Sequence, residues 1–204
     1  MPNTTLGFLG LGVMGGPMAR NLVKAGYPVV GFDTDERRLG KFAADGGKTA
    51  MSAPEAVRAA EIAFLSLPTG DVVRDVVLGA SGLLTVLKPG AVVVDLSTTE
   101  PKVAQDCAAA ATAKGITFLD GPVSGGEQGA IDAALSIMVG GDAAAFARVK
   151  PILACLGKSV VHMGGSGMGQ ATKLINNMIV AANFAAVCEA WGLAVKVGLD
   201  PATL

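Results

Sequence analysis

Three glycines near the N-terminus constrain this chain more than any other feature. They stand in the segment Gly10-Leu11-Gly12-Val13-Met14-Gly15, directly after the short apolar run Leu6–Leu9 and before a segment of helical periodicity. In that setting the first glycine permits a tight turn, the second lets a ligand approach the backbone, and the third lets the helix pack closely on the strand. The segment therefore predicts a strand, turn and helix whose free N–H groups bind a dinucleotide pyrophosphate.

The rest of the first 165 residues alternates short apolar runs with helical segments. Strands are predicted at Leu6–Leu9, Val29–Phe32, Ile62–Leu67, Ala91–Asp95, Thr117–Leu119, Leu135–Val139 and Ser159–Met163. Helices are predicted at Met14–Ala25, Glu36–Ala44, Pro54–Ala60, Val72–Leu78, Pro101–Ala113 and Ala143–Leu153. This alternation indicates an α/β fold of the Rossmann type, a doubly wound, mostly parallel sheet with helices on both faces.

The chain changes character after residue 165. About thirty residues from Met168 to Val197 contain no proline and read as one helix, which is long enough to bridge two domains or two subunits. Asp200-Pro201 then has the form of a helix start, with few residues after it. We therefore expect a dinucleotide-binding domain over 1–165, and over 166–204 a long interdomain helix with the start of a truncated C-terminal domain.

Composition and charge narrow the classes of partner. The net charge is −1 and 51% of the 204 residues are hydrophobic, which predicts a globular protein with no electrostatic footprint for nucleic acid or an anionic membrane. The N-terminal residues 1–5 lack the basic region of a signal peptide. Three widely spaced cysteines argue against a disulfide framework and a cysteine-rich metal site. We expect a cytoplasmic protein with small-molecule ligands and no metal.

Asp33 bears on the choice of cofactor. It ends the second predicted strand, 18 residues after Gly15, where a carboxylate can accept hydrogen bonds from the adenosine ribose and would repel a 2′-phosphate. This favours NAD over NADP. A turn-initiating aspartate is the ordinary alternative, and the nearby Arg37 and Arg38 keep NADP open.

Three polar residues of the long helix suggest chemistry. Asn176 and Asn177 follow Lys173 by three and four residues, so both amides lie beside the lysine on nearly one helical face. Lys173 could exchange a proton with a carbonyl or hydroxyl oxygen during hydride transfer, while Asn177 holds that oxygen. For an isolated helix, the alternative is a solvated lysine with two surface amides.

Ser124 lies in a turn that suits an anion. It stands in Gly121-Pro122-Val123-Ser124-Gly125-Gly126, where the glycines expose backbone N–H groups that can bind a carboxylate. No adjacent base would make Ser124 a nucleophile, and the single histidine, His162, lies in an apolar strand where a structural role is expected. Acyl transfer is therefore disfavoured.

Four ordered motifs together resemble the β-hydroxyacid dehydrogenases, a family that includes 3-hydroxyisobutyrate dehydrogenase and tartronate semialdehyde reductase. The motifs are Gly-Phe-Leu-Gly-Leu-Gly-Val-Met-Gly-Gly-Pro-Met-Ala-Arg-Asn-Leu at 7–22, Asp-Leu-Ser-Thr at 95–98, Gly-Pro-Val-Ser-Gly-Gly at 121–126, and Gly-Gln-Ala-Thr-Lys-Leu-Ile-Asn-Asn at 169–177. The resemblance covers essentially the whole chain.

This resemblance implies roles for individual residues. It implies a catalytic lysine at Lys173, a substrate carboxylate bound by Ser124 with the amides of Gly125 and Gly126, and substrate contact by Asn177. It further implies cofactor contacts from Leu67, Pro68 and Thr98. In the family, an all-helical second domain follows the long helix and supplies a further lysine and much of the dimer interface.

Two neighbouring positions depart from the family pattern. Ala133 and Ala134 precede Leu135 where members commonly have Gly-Thr, and we expect the difference only to adjust a turn.

The leading hypothesis is an oxidoreductase that moves a hydride between NAD(P) and a small β-hydroxyacid or its semialdehyde. A non-catalytic dinucleotide-binding or scaffold module, or a truncated inactive fragment, is the alternative. If the chain were an imine reductase, the resemblance would lead us to expect Asp or Tyr at position 173. The length of the chain and its motif at 7–22 fit a 6-phosphogluconate dehydrogenase less well than an enzyme of the smaller acids. We also expect self-association into a homo-oligomer, because an amphipathic helix without its docking domain should seek another apolar surface.

Overall fold

The strands form one sheet in the computed structural model, which describes residues 4–203; residues 1–3 and 204, which the predicted domain ranges include, lie outside the described residues. The strands are β1 Leu6–Leu9, β2 Val29–Phe32, β3 Lys48–Thr49, β4 Ile62–Leu65, β5 Val92–Asp95, β6 Thr117–Asp120, β7 Val123–Ser124, β8 Leu135–Gly140 and β9 Gly157–Gly164.

Helices connect most of the strands. They are α1 Gly15–Lys24, α2 Glu36–Ala44, α3 Ala53–Val57, α4 Gly70–Leu78, α5 Pro101–Thr112, α6 Gly126–Ile131, α7 Ala143–Leu153 and α8 Met168–Lys196, with single 3-10 turns at Leu83–Thr85 and Pro201–Thr203. Several helices begin at a capping side chain, as where Asp35 accepts a hydrogen bond from the N–H of Arg37 and Asp142 from that of Ala145.

The order of the strands in the sheet indicates where a ligand binds. The strands run β3-β2-β1-β4-β5-β6-β8-β7, with β9 paired to β8. All pairs from β3 to β6 are parallel, whereas β8 runs antiparallel to β6 and β7. From β1 the chain adds β2 and β3 on one side, and then returns to add β4 and the later strands on the other side of β1. In such sheets ligands bind outside the carboxyl ends of the strands at this reversal, here between β1 and β4.

Two apolar cores lie on opposite faces of the sheet. In β1, Phe8 packs in one core with Met18 and Leu22 of α1, while Leu9 packs in the other. Successive side chains of a strand point to opposite faces, so strands covered on both faces must be apolar throughout. Every residue of β1, β4 and β5 is buried, which agrees with the doubly wound fold predicted from the sequence.

Most predicted elements are confirmed, several at the same residues. Those of β1, β2, α2 and α7 match at both ends, and the long helix differs by one residue. The sequence missed β3 and β7, of two residues each, and α6, of which only the first residue, Gly126, was assigned to a glycine-rich turn. The predicted start at Asp200 is confirmed as a cap, because its carboxylate accepts a hydrogen bond from Ala202 N at 3.0 Å.

Helix α8 projects from the domain with little protein against it. Beyond its first turns, Ala194 is its one buried residue, while Phe184 is 70% and Trp191 53% exposed. Large apolar side chains occur all around the helix, so the amphipathic pattern that we expected is wrong. Among residues 4–203, α8 alone is long and apolar enough to cross a membrane by length and composition, with a mean hydropathy of 1.7 over 18 residues. A helix apolar on every side is normally covered on every side.

The departure at Ala133 has a backbone consequence. Ala133 adopts a φ of +53°, the left-handed region in which an L side chain is strained and glycine is not. We expect Ala133→Gly to raise the free energy of unfolding by about 0.5–1 kcal/mol, the relief of strain minus the entropy lost by glycine. Urea unfolding measures it. The control Ala134→Gly should lower stability by a similar amount. Equal losses in both variants would refute the strained, left-handed backbone at Ala133.

Candidate active site

Two glycines of the loop after β1 lie where the neighbouring backbone leaves no room for a side chain. Gly10 has a φ of +90° and donates its N–H to Phe32 O at 2.9 Å. A Cβ on Gly10 would overlap the carbonyl oxygen of Ser66, and one on Gly15 would overlap the carbonyl oxygen of Gly10. These two glycines are therefore required by the packing of the loop between β1 and β4.

Gly12 is different, because space is open around it. The nearest atom to a Cβ there is Arg38 Nη1 at 3.6 Å, an ordinary contact. The N–H groups of Gly12, Val13 and Met14 donate to no acceptor among residues 4–203, and α1 has no side-chain cap. Free N–H groups at an uncapped helix start attract an anion, so the loop fits a pyrophosphate.

Asp33 holds the glycine loop in place. Its buried carboxylate accepts hydrogen bonds from Leu11 N at 2.7 Å and Asp35 N at 2.9 Å. Arg38 lies 3.4 Å from both carboxylate oxygens, whereas the exposed Arg37 pairs with Asp35 instead. The backbone N–H groups fill two of about four acceptor positions, and the two contacts from Arg38 are long, so a ribose hydroxyl can take the place of one of them. The sequence identified Asp33 but not its bond to the loop.

A first cleft, of about 600 Å³, opens at the carboxyl ends of β1, β2 and β4. Most of the predicted cofactor residues line it: Gly10, Gly12, Val13, Met14, Gly15, Asp33, Leu67 and Pro68. Leu11 instead buries its side chain in the core beside the loop. Thr98 lies outside this cleft as well.

A second cleft, of about 520 Å³, continues from the first. The two share Met14, Ser66, Leu67 and Pro68, so a molecule lying along the first reaches the second. The second cleft brings together all the predicted substrate and catalytic residues, together with Thr98: Ser124, Gly125, Gly126, Lys173 and Asn177. These come from three separate parts of the chain, so their convergence is a property of the fold.

The turn at Ser124 presents an anion-binding backbone. Gly125 and Gly126 have φ values of +138° and +64°, and their N–H groups donate to no acceptor in the described part of the chain. Asn176 lies across from the turn, with Nδ2 3.5 Å from Ser124 Oγ. The sequence placed Asn176 beside Lys173 without a role, and only the fold reveals this contact.

Lys173 is a half-buried cation in the second cleft. Burial lowers the pKa of its ammonium from the ordinary value. Within residues 4–203 it forms no ion pair that would oppose the shift. A lysine with a lowered pKa exchanges a proton more readily near neutral pH than a solvated one.

Two buried carboxylates lie beneath this site. Asp95 and Asp120 end the neighbouring strands β5 and β6 and are partners in the sheet register. Both are fully buried. Burial raises the pKa of Asp95 to about 7, despite hydrogen bonds from Ser97 that favour the charged form, and the Asp120 charge adds to the rise. Burial also raises the pKa of Asp120.

The raised pKa of Asp95 predicts a pH-dependent stability. Between about pH 4 and pH 7 the folded protein keeps a proton that the unfolded chain releases, so its stability falls as pH rises through that window. Asp95→Asn removes this titration and keeps an acceptor for Ser97 N. Relative to the parent, we expect this variant to gain roughly 2 kcal/mol between pH 5 and pH 7. Urea unfolding across the pH range tests it, and a constant difference between the two proteins would contradict it.

Two family profiles match consecutive parts of the chain. The NAD-binding domain of 6-phosphogluconate dehydrogenase matches residues 5–165, and the NAD-binding region of NADP-dependent 3-hydroxyisobutyrate dehydrogenase matches residues 167–204. The first covers well over half of the chain. The chain therefore carries an NAD(P)-binding domain.

Individual relatives agree with these profiles. The chain is 44% identical to a 3-hydroxyisobutyrate dehydrogenase of Pseudomonas aeruginosa, over 98% of this chain and 67% of the relative. It is 41% identical to a 2-(hydroxymethyl)glutarate dehydrogenase of Eubacterium barkeri, over 98% and 66%. A solved 3-hydroxyisobutyrate dehydrogenase of Mycobacterium tuberculosis with L-serine superposes with a TM-score of 0.92 at 42% identity, over 98% and 67%. The chain thus spans about two thirds of the length of these relatives.

Proposed function

Because the chain belongs to the β-hydroxyacid dehydrogenase family, of the 3-hydroxyisobutyrate dehydrogenase type, we propose that it transfers a hydride between NAD(P) and a small β-hydroxyacid or its semialdehyde. The observation that carries the proposal is the continuity of the two clefts through Met14, Leu67 and Pro68. A dinucleotide with its pyrophosphate on the glycine loop extends toward Lys173. The nicotinamide, when bound, supplies or accepts the hydride.

Six residues of the second cleft have a task in this proposal. Ser124 Oγ and the N–H groups of Gly125 and Gly126 bind the substrate carboxylate, and Asn176 orients the serine hydroxyl. Asn177 holds the reacting oxygen. As the hydroxyl carbon loses its hydride, neutral Lys173 takes the hydroxyl proton, and in reduction its ammonium returns a proton to the carbonyl oxygen. Hence oxidation should accelerate with pH through a pKa below the ordinary lysine value.

We propose NAD as the preferred cofactor. Asp33 faces the first cleft, and its charge disfavours a 2′-phosphate. Arg38 offsets part of that charge at 3.4 Å and lines the same cleft, which keeps NADP as the alternative. Titration with each dinucleotide decides between them through the ratio of the two Kd values.

Turnover of a panel of short β-hydroxyacids and semialdehydes tests the function. The panel is run with NAD and NADP on this chain and on any longer protein that contains it, following the absorbance of the reduced nicotinamide. Turnover of at least one acid supports the proposal. Dinucleotide binding without turnover in every such protein would favour the non-catalytic module, which has no need of a cleft-facing lysine with a lowered pKa.

The exposed helix α8 leads us to propose self-association. Beyond its first turns, its apolar surface is largely open among residues 4–203, whereas about a third of the length of the relatives lies outside the matched part and can cover it. We expect concentration-dependent sedimentation, and a shift toward monomer in Phe184→Glu and Trp191→Glu. Met51→Glu changes an isolated apolar residue that is 91% exposed and serves as the control. A parent chain that is monomeric at all micromolar concentrations would refute the proposal.

The cytoplasmic location stays a prediction.

A further inference from the structure

A buried run of hydrogen bonds joins the two clefts behind the site. Ser97 Oγ accepts from Leu67 N at 2.8 Å, which fixes the loop that both clefts share. The carbonyl oxygen of Ser97 accepts from Gln170 Nε2, also at 2.8 Å. Gln170 lies in the first turn of α8, three residues before Lys173. The cofactor loop and the helix of Lys173 are therefore connected through a single serine.

The glutamine side chain is suited to this connection. Gln170 is 0% exposed, and its Oε1 accepts from Thr99 N at 3.0 Å while its amide nitrogen donates to Ser97. One side chain thus satisfies a backbone acceptor and a backbone donor of the same segment. An apolar residue of equal length would leave both groups buried without partners, which is costly.

A second connection holds the same turn from the other side. Asp120 accepts hydrogen bonds from Gly167 N at 2.8 Å and Gln170 N at 2.9 Å. This attaches the start of α8 to β6. It does not involve the segment 97–99 or the Leu67 loop and uses only the backbone of residue 170, so it anchors the helix whether or not the Gln170 side chain is present.

We propose that Gln170 is a positioning residue that couples dinucleotide binding at the Leu67 loop to the position of Lys173. The inference rests on the proposed function, in which the dinucleotide packs against Leu67. Ordering of that loop is transmitted through Ser97 to the amide of Gln170, and through Gln170 to the first turn of α8. Lys173, one turn further along, then takes its working position when the cofactor is bound.

Amide hydrogen exchange with and without NAD+ tests the coupling without requiring turnover. In the parent chain, saturating NAD+ should slow exchange at Gly167 and Gln170 by about fivefold or more, the lower end of ordinary coupling between sites. In Gln170→Met the same amides should respond little, while Gly12, Val13 and Met14 remain protected by the bound dinucleotide. Gln128→Met, which removes an exposed hydrogen bond to Asp132, is the matched control and should behave as the parent.

A second variant keeps the test decisive if Gln170→Met fails to fold. Ser97→Ala removes the acceptor of Leu67 N but keeps the backbone carbonyl that Gln170 uses. It should also abolish the response of α8 to NAD+. An unchanged response in the variants that fold, or no response of α8 in the parent, would overturn the inference. Absence of protection at the glycine loop in the parent would instead refute dinucleotide binding, and with it the proposed function.

Discussion

Replacing Lys173 by alanine should lower kcat/KM by about 10²–10⁴-fold, the usual contribution of a positioned general acid or base. Lys173 is the half-buried lysine of the second cleft, and no ion pair within residues 4–203 engages it. The Kd for the dinucleotide should stay within about threefold of the parent value, because in this proposal Lys173 exchanges a proton with the substrate and does not hold the cofactor. Steady-state kinetics and a separate NAD+ titration measure the two effects.

Two further variants separate proton transfer from charge. Lys173→Arg keeps a positive charge but cannot release a proton near neutral pH, so we expect it to be nearly as inactive as the alanine variant. Lys158→Ala removes an exposed lysine of β9 and should leave turnover unchanged. Wild-type turnover in Lys173→Arg would show that only the charge matters and would remove the lysine from proton transfer.

Gly12→Ala should weaken NAD+ binding by roughly 30–100-fold while leaving the thermal midpoint nearly unchanged. A Cβ at Gly12 has room in the folded chain, since its nearest neighbour is the flexible end of Arg38. It would, however, enter the space in which a pyrophosphate meets the loop, and losing one or two charge-assisted hydrogen bonds costs about 2–3 kcal/mol. Titration calorimetry and thermal unfolding of the same protein separate the two effects.

Gly15→Ala should behave in the opposite way. Its Cβ would overlap the carbonyl oxygen of Gly10, so we expect loss of stability first and loss of binding as a consequence. Gly40→Ala, in α2 with nothing within 4 Å of the new Cβ, is the control and should stabilise the helix by about 0.5–1 kcal/mol. Undiminished NAD+ affinity in Gly12→Ala would exclude the glycine loop as the pyrophosphate site.

Local pattern was sufficient for most of the fold. Buried parallel strands such as β4 and β5 are apolar throughout, and glycine or proline marks several helix ends, so their positions follow from periodicity. Strands of two residues, such as β7, are too short to show any period. Two glycines, Gly126 and Gly129, lower the helix propensity of α6, and tertiary packing overrides that low propensity.

In the candidate site too, local features could be predicted from the sequence and long-range contacts could not. Gly10, Gly12 and Gly15 are recognisable from sequence, because the strand, turn and helix that require glycine at these positions are all within one local motif. Gln170 gave no such signal, since the partners of its side chain lie more than 70 residues away. The role of Asp33 was only half visible from sequence, because its bond to Leu11 N depends on two strand ends meeting. Long-range pairing of polar groups is what the sequence could not supply.

A structure of this chain with NAD+ and a short β-hydroxyacid would test the central claim most directly. We predict the pyrophosphate on the N–H groups of Gly12, Val13 and Met14, and the nicotinamide between Met14 and Pro68. The acid should have its carboxylate at Ser124 and its hydroxyl within hydrogen-bond distance of Lys173 Nζ. A nicotinamide directed away from the second cleft, or an acid bound elsewhere, would contradict the account.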